Sequence, residues 1–262
     1  MNITLPDGSI RELELGSTGL DLASSIGAGL AKAALAVTVN GIQKDLNDPI
    51  NEDSKVSIIT IDSDDGLEIM RHTLTAQVLA RAVKNLFPGT KLAIGPTITD
   101  GFYYDFEFKK PISPEDLDSI EKEMKKIISS NSAITKQINT KKEAIEIFKK
   151  EGEPYKESII NDSEQQDGFQ LYYQDDSKFV DLCRGPHIPN LKHIGAFKLL
   201  KIAGAYWKGN SDNKMLTRIY GTAWKNEKDL SAYLDRIEEA EKRDHRKLGK
   251  EMNLFHFQEE AP

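Results

Sequence analysis

Two hydrophobic periodicities alternate along this chain, and that alternation limits its fold more than any other feature. Residues 2–5 and 10–15 alternate apolar with polar side chains, and 35–39 and 56–61 are rich in β-formers. Leu74, Val78, Leu79, Ala82, Val83 and Leu86 instead recur at helical spacing across 67–88. Turn chemistry separates such stretches at Pro6-Asp7-Gly8, Asn40-Gly41, Phe87-Pro88-Gly89 and Asp100-Gly101. The pattern predicts an α+β fold.

Residues 1–62 read as a small module of order β-β-α-β-β, which suits a β-grasp sheet. Gly27 and Gly29 are its candidate helix C-caps. Residues 62–66, Asp-Ser-Asp-Asp-Gly, read as a polar linker. A second module is expected over 63–226. It opens with the 67–88 helix, continues with strands at 91–98 and 102–108, and starts a helix at Ser113 with Pro114 and Asp116. Thr140 and Glu143 form a second capping box. Short strands are predicted at 169–173, 179–182, 197–202 and 216–220. A charged helix follows at 227–250, with Leu230, Tyr233, Leu234, Ile237 and Ala240 as its apolar face. A β element begins near 254–257 and is cut off, so the chain is expected to be part of something longer.

Charge supports two modules. The chain has 262 residues, 35 Lys and Arg, and 42 Asp and Glu, for a net charge of −7. Residues 1–70 hold 12 acids and 4 bases, and the remainder is close to neutral. An acidic chain is a poor prior for a nucleic-acid partner, but here the acidity belongs to one segment. The lone cysteine, Cys183, points to a reducing compartment. No apolar run approaches the ~18 residues of a membrane span, and the N-terminus lacks the regions of a signal peptide. A cytoplasmic location without a membrane partner is expected.

The densest polar constellation is 179–187, Phe-Val-Asp-Leu-Cys-Arg-Gly-Pro-His. Cys183-x3-His187 puts a soft nucleophile within reach of an imidazole, with a turn enforced by Gly185-Pro186. A buried small thiol and a turn-capping histidine are the structural alternative. Cys183 and His187 are also two metal ligands, but a zinc site needs three or four, and His72, His193, His245 and His256 complete no spaced set. No metal is expected. Tyr104, within Gly101–Asp105, offers a phenol beside a carboxylate or packs as a core ring. Lys156 is a phosphate or carboxylate contact or a solvated base. The aromatic run at 204–209 suits stacking on a nucleotide or plugging a core. The basic run at 242–247 is a solvated face or a contact to RNA backbone.

The strings FVDLCRGPHIPN (179–190), GAYWKGNSDNKMLTRIYGTAW (204–224), KRDHRKL (242–248), GPTITDGFYYD (95–105) and LPDG (5–8) together resemble the threonyl-tRNA synthetases. The resemblance covers the whole chain in family order. It implies a TGS domain at 1–62, a two-part editing domain at 63–226 of the kind shared with alanyl-tRNA synthetases, and a linker helix at 227–262 leading into a class II catalytic core whose motifs are absent here. The whole enzyme would ligate threonine to its tRNA with ATP and Mg, and would hold Zn in that core. This part would need no cofactor and would hydrolyse seryl-tRNA mischarged in place of threonyl-tRNA. The resemblance assigns catalytic roles to His187, Cys183, Asp181 and Lys156 and a pocket role to Tyr104. His187 would orient water, Lys156 would stabilise charge, and the terminal ribose hydroxyl of the tRNA would assist. It also implies a homodimer for the whole enzyme, with contacts mainly in the core, which leaves this piece free to be a monomer.

One departure stands out. The family's His-Ser-x-x-His, framed backwards from Val78-Leu79-Ala80, falls on Thr73 and Gln77, with His72 one residue early. Gln accepts no proton at neutral pH. Thr73, Gln77 and His72 are therefore substrate-binding candidates. A non-catalytic tRNA-binding module and a free-standing trans-editing hydrolase remain alternatives.

Overall fold

The computed structural model describes residues 1–243. The first module is a five-stranded sheet crossed by short helices. Its elements are β1 (Asn2–Thr4), β2 (Ile10–Glu12), α1 (Gly19–Ile26), α2 (Ala28–Ala33), β3 (Ala34–Val39), β4 (Ile42–Asp45) and β5 (Ser54–Thr60), in sheet order β2-β1-β5-β3-β4. β1 runs parallel to β5, and the other pairs are antiparallel. Ile3, Leu22, Ala23, Val37, Val39, Leu46, Ile50 and Val56 form a core of their own.

The chain departs from the expected order in two places. Gly27 closes α1, but Gly29 lies inside α2 instead of ending a helix. A third strand after the helices, β4, was not anticipated. Asn40 and Gly41 both take positive φ, the geometry of a two-residue hairpin turn, and so return the chain immediately onto β3.

The 62–66 stretch is not a linker. Ser63 caps α3 (Asp64–Thr73) by accepting from the Gly66 amide, and Asp64 and Asp65 lie in the first turn, where the helix dipole favours them. α3 passes without a break into a π turn (Leu74–Leu79) and α4 (Ala80–Leu86). The expected strand at 91–98 is split into β6 (Lys91–Leu92) and β7 (Thr97–Ile98), and β8 (Gly101–Glu107) pairs with both. α5 (Asp116–Ser129) starts two residues later than Ser113 and Pro114 suggested. Asp116 still reaches back to the Ser113 amide at 2.7 Å.

β9 (Ile134–Asn139), α6 (Lys141–Glu151) and α7 (Pro154–Asp162) follow. α6 carries the Thr140–Glu143 capping box, and α7 was not foreseen. β10 (Phe169–Gln174) and β11 (Val180–Leu182) complete a small sheet of order β11-β10-β9. β12 (Ala196–Tyr206) and β13 (Met215–Trp224) form a long hairpin that extends β8, giving the order β12-β13-β8-β6. α8 (Glu227–Lys242) packs on β12 and β13. The basic run beyond Arg243 and the expected β element at 254–257 lie outside the described residues.

The main core joins α3, the π turn and α4 to α5, β8, β12 and β13. Leu35, Ala36 and Ile59 of the first sheet belong to that same core, so the two modules share buried apolar surface.

Candidate active site

Four elements converge on the 183–187 loop. α3 supplies His72 and Thr73, α7 supplies Lys156, β8 supplies Tyr104, and β11 with its following loop supplies Asp181, Cys183 and His187.

One half of the site is built from rings and sulfur. His72 Nε2 lies 2.7 Å from Cys183 Sγ. The His72 and His187 rings stack at 4.7 Å between centroids, 10° from parallel. Tyr172 meets the His187 ring edge-on at 4.3 Å. Gly185 takes φ +64, and a Cβ there would overlap the Tyr172 hydroxyl, so only glycine lets the loop pass. The Gly185–Pro186 bond is cis.

Hydrogen-bond accounting fixes the tautomer of His187. The Thr73 hydroxyl donates to the Ile69 carbonyl at 2.9 Å. Its oxygen is then an acceptor, and it takes the Ile188 amide at 3.1 Å and His187 Nδ1 at 3.0 Å. His187 therefore carries its proton on Nδ1. Its Nε2 is left as a buried lone pair with no partner. An unpaired buried acceptor costs about 1–3 kcal/mol, so one in the middle of a polar cluster marks a place for a ligand atom.

The other half is closed. Lys156 Nζ lies 2.6 Å from Asp181 Oδ1, and both side chains are at most 5 % exposed. The Tyr104 hydroxyl donates to Asp181 Oδ2 at 3.2 Å, and the Leu182 amide donates to Oδ1 at 2.8 Å. Burial, reinforced by the Asp181 charge, pushes the Tyr104 hydroxyl well above its usual value, so it remains a donor. α7 is anchored by Glu153, which accepts from the Leu92 amide at 2.7 Å and pairs with Lys84. Burial raises the Glu153 carboxyl despite those bonds. Tyr155 packs on Trp207 at 4.8 Å, so Trp207 is a packing ring, whereas Tyr206 is 41 % exposed.

The two halves feel each other. Burial holds His72 below its usual value, and the Asp181 charge works against that shift while Lys156 adds to it. His72, Cys183 and His187 also each offer a ligand atom within 4.8 Å of the others. Sequence spacing counted two metal donors here, and the tertiary structure brings in a third.

Gln77 does not join this cluster. Its carbonyl and its Oε1 both accept from Gln174 Nε2, at 2.6 and 3.2 Å, and its own Nε2 is unpartnered. Gln77 lies in the π turn (Leu74–Leu79) that follows α3. Both His72 and Thr73 of α3 reach the site, the first to Cys183 and the second to His187.

Sequence reasoning missed Asp45, which accepts from the His187 amide at 2.7 Å. It lies 142 positions away at the end of β4, and its local pattern, Lys-Asp-Leu-Asn-Asp-Pro, signals only a turn. Tyr172 was read as an ordinary strand residue.

Residues 1–60 match the TGS domain, and residues 170–220 match the family described as "Threonyl and Alanyl tRNA synthetase second additional domain". Threonine–tRNA ligase of Francisella tularensis subsp. tularensis strain SCHU S4 is 53 % identical over all 262 residues, which cover 41 % of that protein. The same-named protein of Hahella chejuensis is 52 % identical over 260 residues, 99 % of this chain and 40 % of that one. The chain is homologous to the N-terminal part of threonine–tRNA ligases. It spans about two fifths of the length of these curated relatives. The threonine–tRNA ligase homology accounts for the order of the modules, with the TGS domain first and the second additional domain after it. The orphaned His187 nitrogen falls inside the second of these. No helix among the described residues is long and apolar enough to cross a membrane.

Proposed function

We propose that this chain hydrolyses the ester of seryl-tRNA mischarged on the tRNA for threonine, as the editing part of an enzyme that ligates threonine to that tRNA with ATP. The observation that carries the reading is His187 Nε2, a buried acceptor with nothing to accept.

Ester hydrolysis needs a positioned water, a proton acceptor and stabilisation of the oxyanion. His187, held as the Nδ1–H tautomer by Thr73, orients a water on Nε2 and takes its proton. Lys156 keeps N–H groups beyond the one given to Asp181 and so can face developing negative charge. Asp181 fixes Lys156 and Tyr104 together. Cys183 and His72 share one hydrogen bond, and the His72 ring stacks on His187. No metal or other cofactor is assigned to this chemistry. The terminal ribose hydroxyl of the tRNA assists from the substrate side.

The need for such a site follows from size. Serine lacks one methyl of threonine, and one methyl supports only about 10–200-fold discrimination. A second, smaller pocket that admits serine removes the error. Partners of the whole enzyme would be the tRNA and a second subunit, in the cytoplasm.

Deacylation of seryl-tRNA for threonine by the 262-residue chain tests the reading. His187→Ala is expected to lower the rate by roughly 10²–10⁴-fold, the usual contribution of a general base. Binding of the tRNA with no hydrolysis above buffer would instead identify a non-catalytic tRNA-binding module.

A further inference from the structure

We infer that Asp45, from the TGS domain, is a positioning residue for His187, so that the site is completed across the boundary between the two domains. The inference rests on the hydrolytic reading above and extends it to a residue outside the second additional domain.

One carboxylate makes three contacts here. Asp45 Oδ1 accepts from the His187 amide at 2.7 Å. Oδ2 accepts from the Tyr172 hydroxyl at 2.8 Å and pairs with Lys136 Nζ at 2.8 Å. Lys136 also reaches Asp48 at 2.6 Å, so one ammonium is shared by two carboxylates. The Asp45 side chain is 13 % exposed, which keeps water from competing for these bonds.

The first two contacts act on the same residue from two directions. The amide bond fixes the His187 backbone. The Tyr172 hydroxyl fixes the ring that sits edge-on against the His187 imidazole. Burial and the Asp45 charge push the Tyr172 hydroxyl above its usual value, so it stays a donor. Thr73 holds the imidazole from the opposite side. His187 is thus clamped between β4 of the TGS domain and α3. Without Asp45 the loop retains Thr73 and Ile188 as anchors but loses its constraint on the backbone of His187 itself. Near-attack geometry is sensitive to displacements of this size.

The seam is also open to a ligand. A cleft of about 320 Å³ between the domains is lined by Lys44, Asp45, Lys136, Tyr172, Arg184 and Pro186.

The experiment compares wild type, Asp45→Ala and Asp45→Asn in the 262-residue chain. Single-turnover deacylation of seryl-tRNA is read at several enzyme concentrations, together with the thermal unfolding midpoint. Asp45→Ala is expected to lower the maximal rate about 10–100-fold, as for loss of a charge-assisted hydrogen bond, with half-saturation within about threefold of wild type. Asp45→Asn keeps one acceptor for the His187 amide but loses the Oδ2 contacts to Tyr172 and Lys136, so it is expected to recover part of that rate. An unchanged rate in Asp45→Ala overturns the inference. So does a change in half-saturation alone, or equal damage in both variants. A second readout is independent of activity: the His187 backbone amide ¹⁵N resonance should shift in Asp45→Ala and stay near wild type in Asp45→Asn. If wild type fails to hydrolyse, the hydrolytic reading falls alone. The resonances then decide Asp45: unshifted signals reject the clamp, and the expected pattern retains it.

Discussion

The two halves of the site differ in one respect. Around Asp181 both carboxylate oxygens are taken, by Lys156, Tyr104 and the Leu182 amide. Around His187 one acceptor is left open at the centre of a ring of clamps. Similar burial thus serves two ends. The closed half holds α7, β8 and β11 in register, and the open half leaves one imidazole nitrogen without a partner. A buried ion pair adds little net stability relative to an apolar pair, but it is expensive to break from one side.

That contrast gives predictions beyond the loss of His187. The largest effect on stability is expected from Asp181→Asn, which strands the Lys156 ammonium in a site where it is about 5 % exposed. Denaturant unfolding should show a loss of about 3–5 kcal/mol, partly recovered when Lys156→Met is added. A loss of rate with unchanged stability would break the contrast. Next is Thr73→Val, which keeps the shape but removes the acceptor for His187 Nδ1 and the Ile188 amide. The maximal rate should drop about 10–100-fold with half-saturation unchanged, and ¹⁵N spectra of His187 should show the tautomer released.

His72 provides a smaller effect that depends on pH. Burial holds its folded value below the ordinary 6.5. Between the two values the unfolded chain binds more protons than the folded one. Stability therefore falls as the pH drops from about 6.5 towards the folded value, and levels off below it. His72→Asn should lack that slope in unfolding measured across pH 4–8 (about the range in which a histidine titrates). An identical slope in the variant would assign it to another group. The smallest effect is expected from a chelator. Although His72, Cys183 and His187 lie within 4.8 Å of one another, deacylation should stay within about twofold after dialysis against EDTA, because His72 Nε2 and Cys183 Sγ are hydrogen-bonded to each other. Lost activity restored by zinc would move the open half into metal chemistry.

Much of the fold is legible in local pattern. Alternation marks β1 and β2, β-forming residues mark β3 and β5, and capping chemistry marks α6, because these signals involve residues close in sequence. β4 was missed because a strand of four residues, IQKD, has almost no period to read. The α3 start reads as a linker in sequence because its capping residues are polar, as linker residues are.

The site divides in the same way. Asp181, Cys183 and His187 lie within seven residues, so the sequence exposes them together. His72 at the sulfur, Thr73 at the imidazole, Lys156 at Asp181 and Asp45 at the His187 amide are separated from their partners by 111, 114, 25 and 142 positions. By itself the sequence determined the α+β elements, the homology and the reactive loop, since each rests on short-range periodicity or on residues in one string. Only the tertiary structure decided which nitrogen of His187 is free and that His72 and Thr73 of α3 meet one loop. It alone decided, too, that the first domain reaches the second one's site. Hydrogen-bond partners and helical phase depend on packing between distant segments, and no local pattern encodes either.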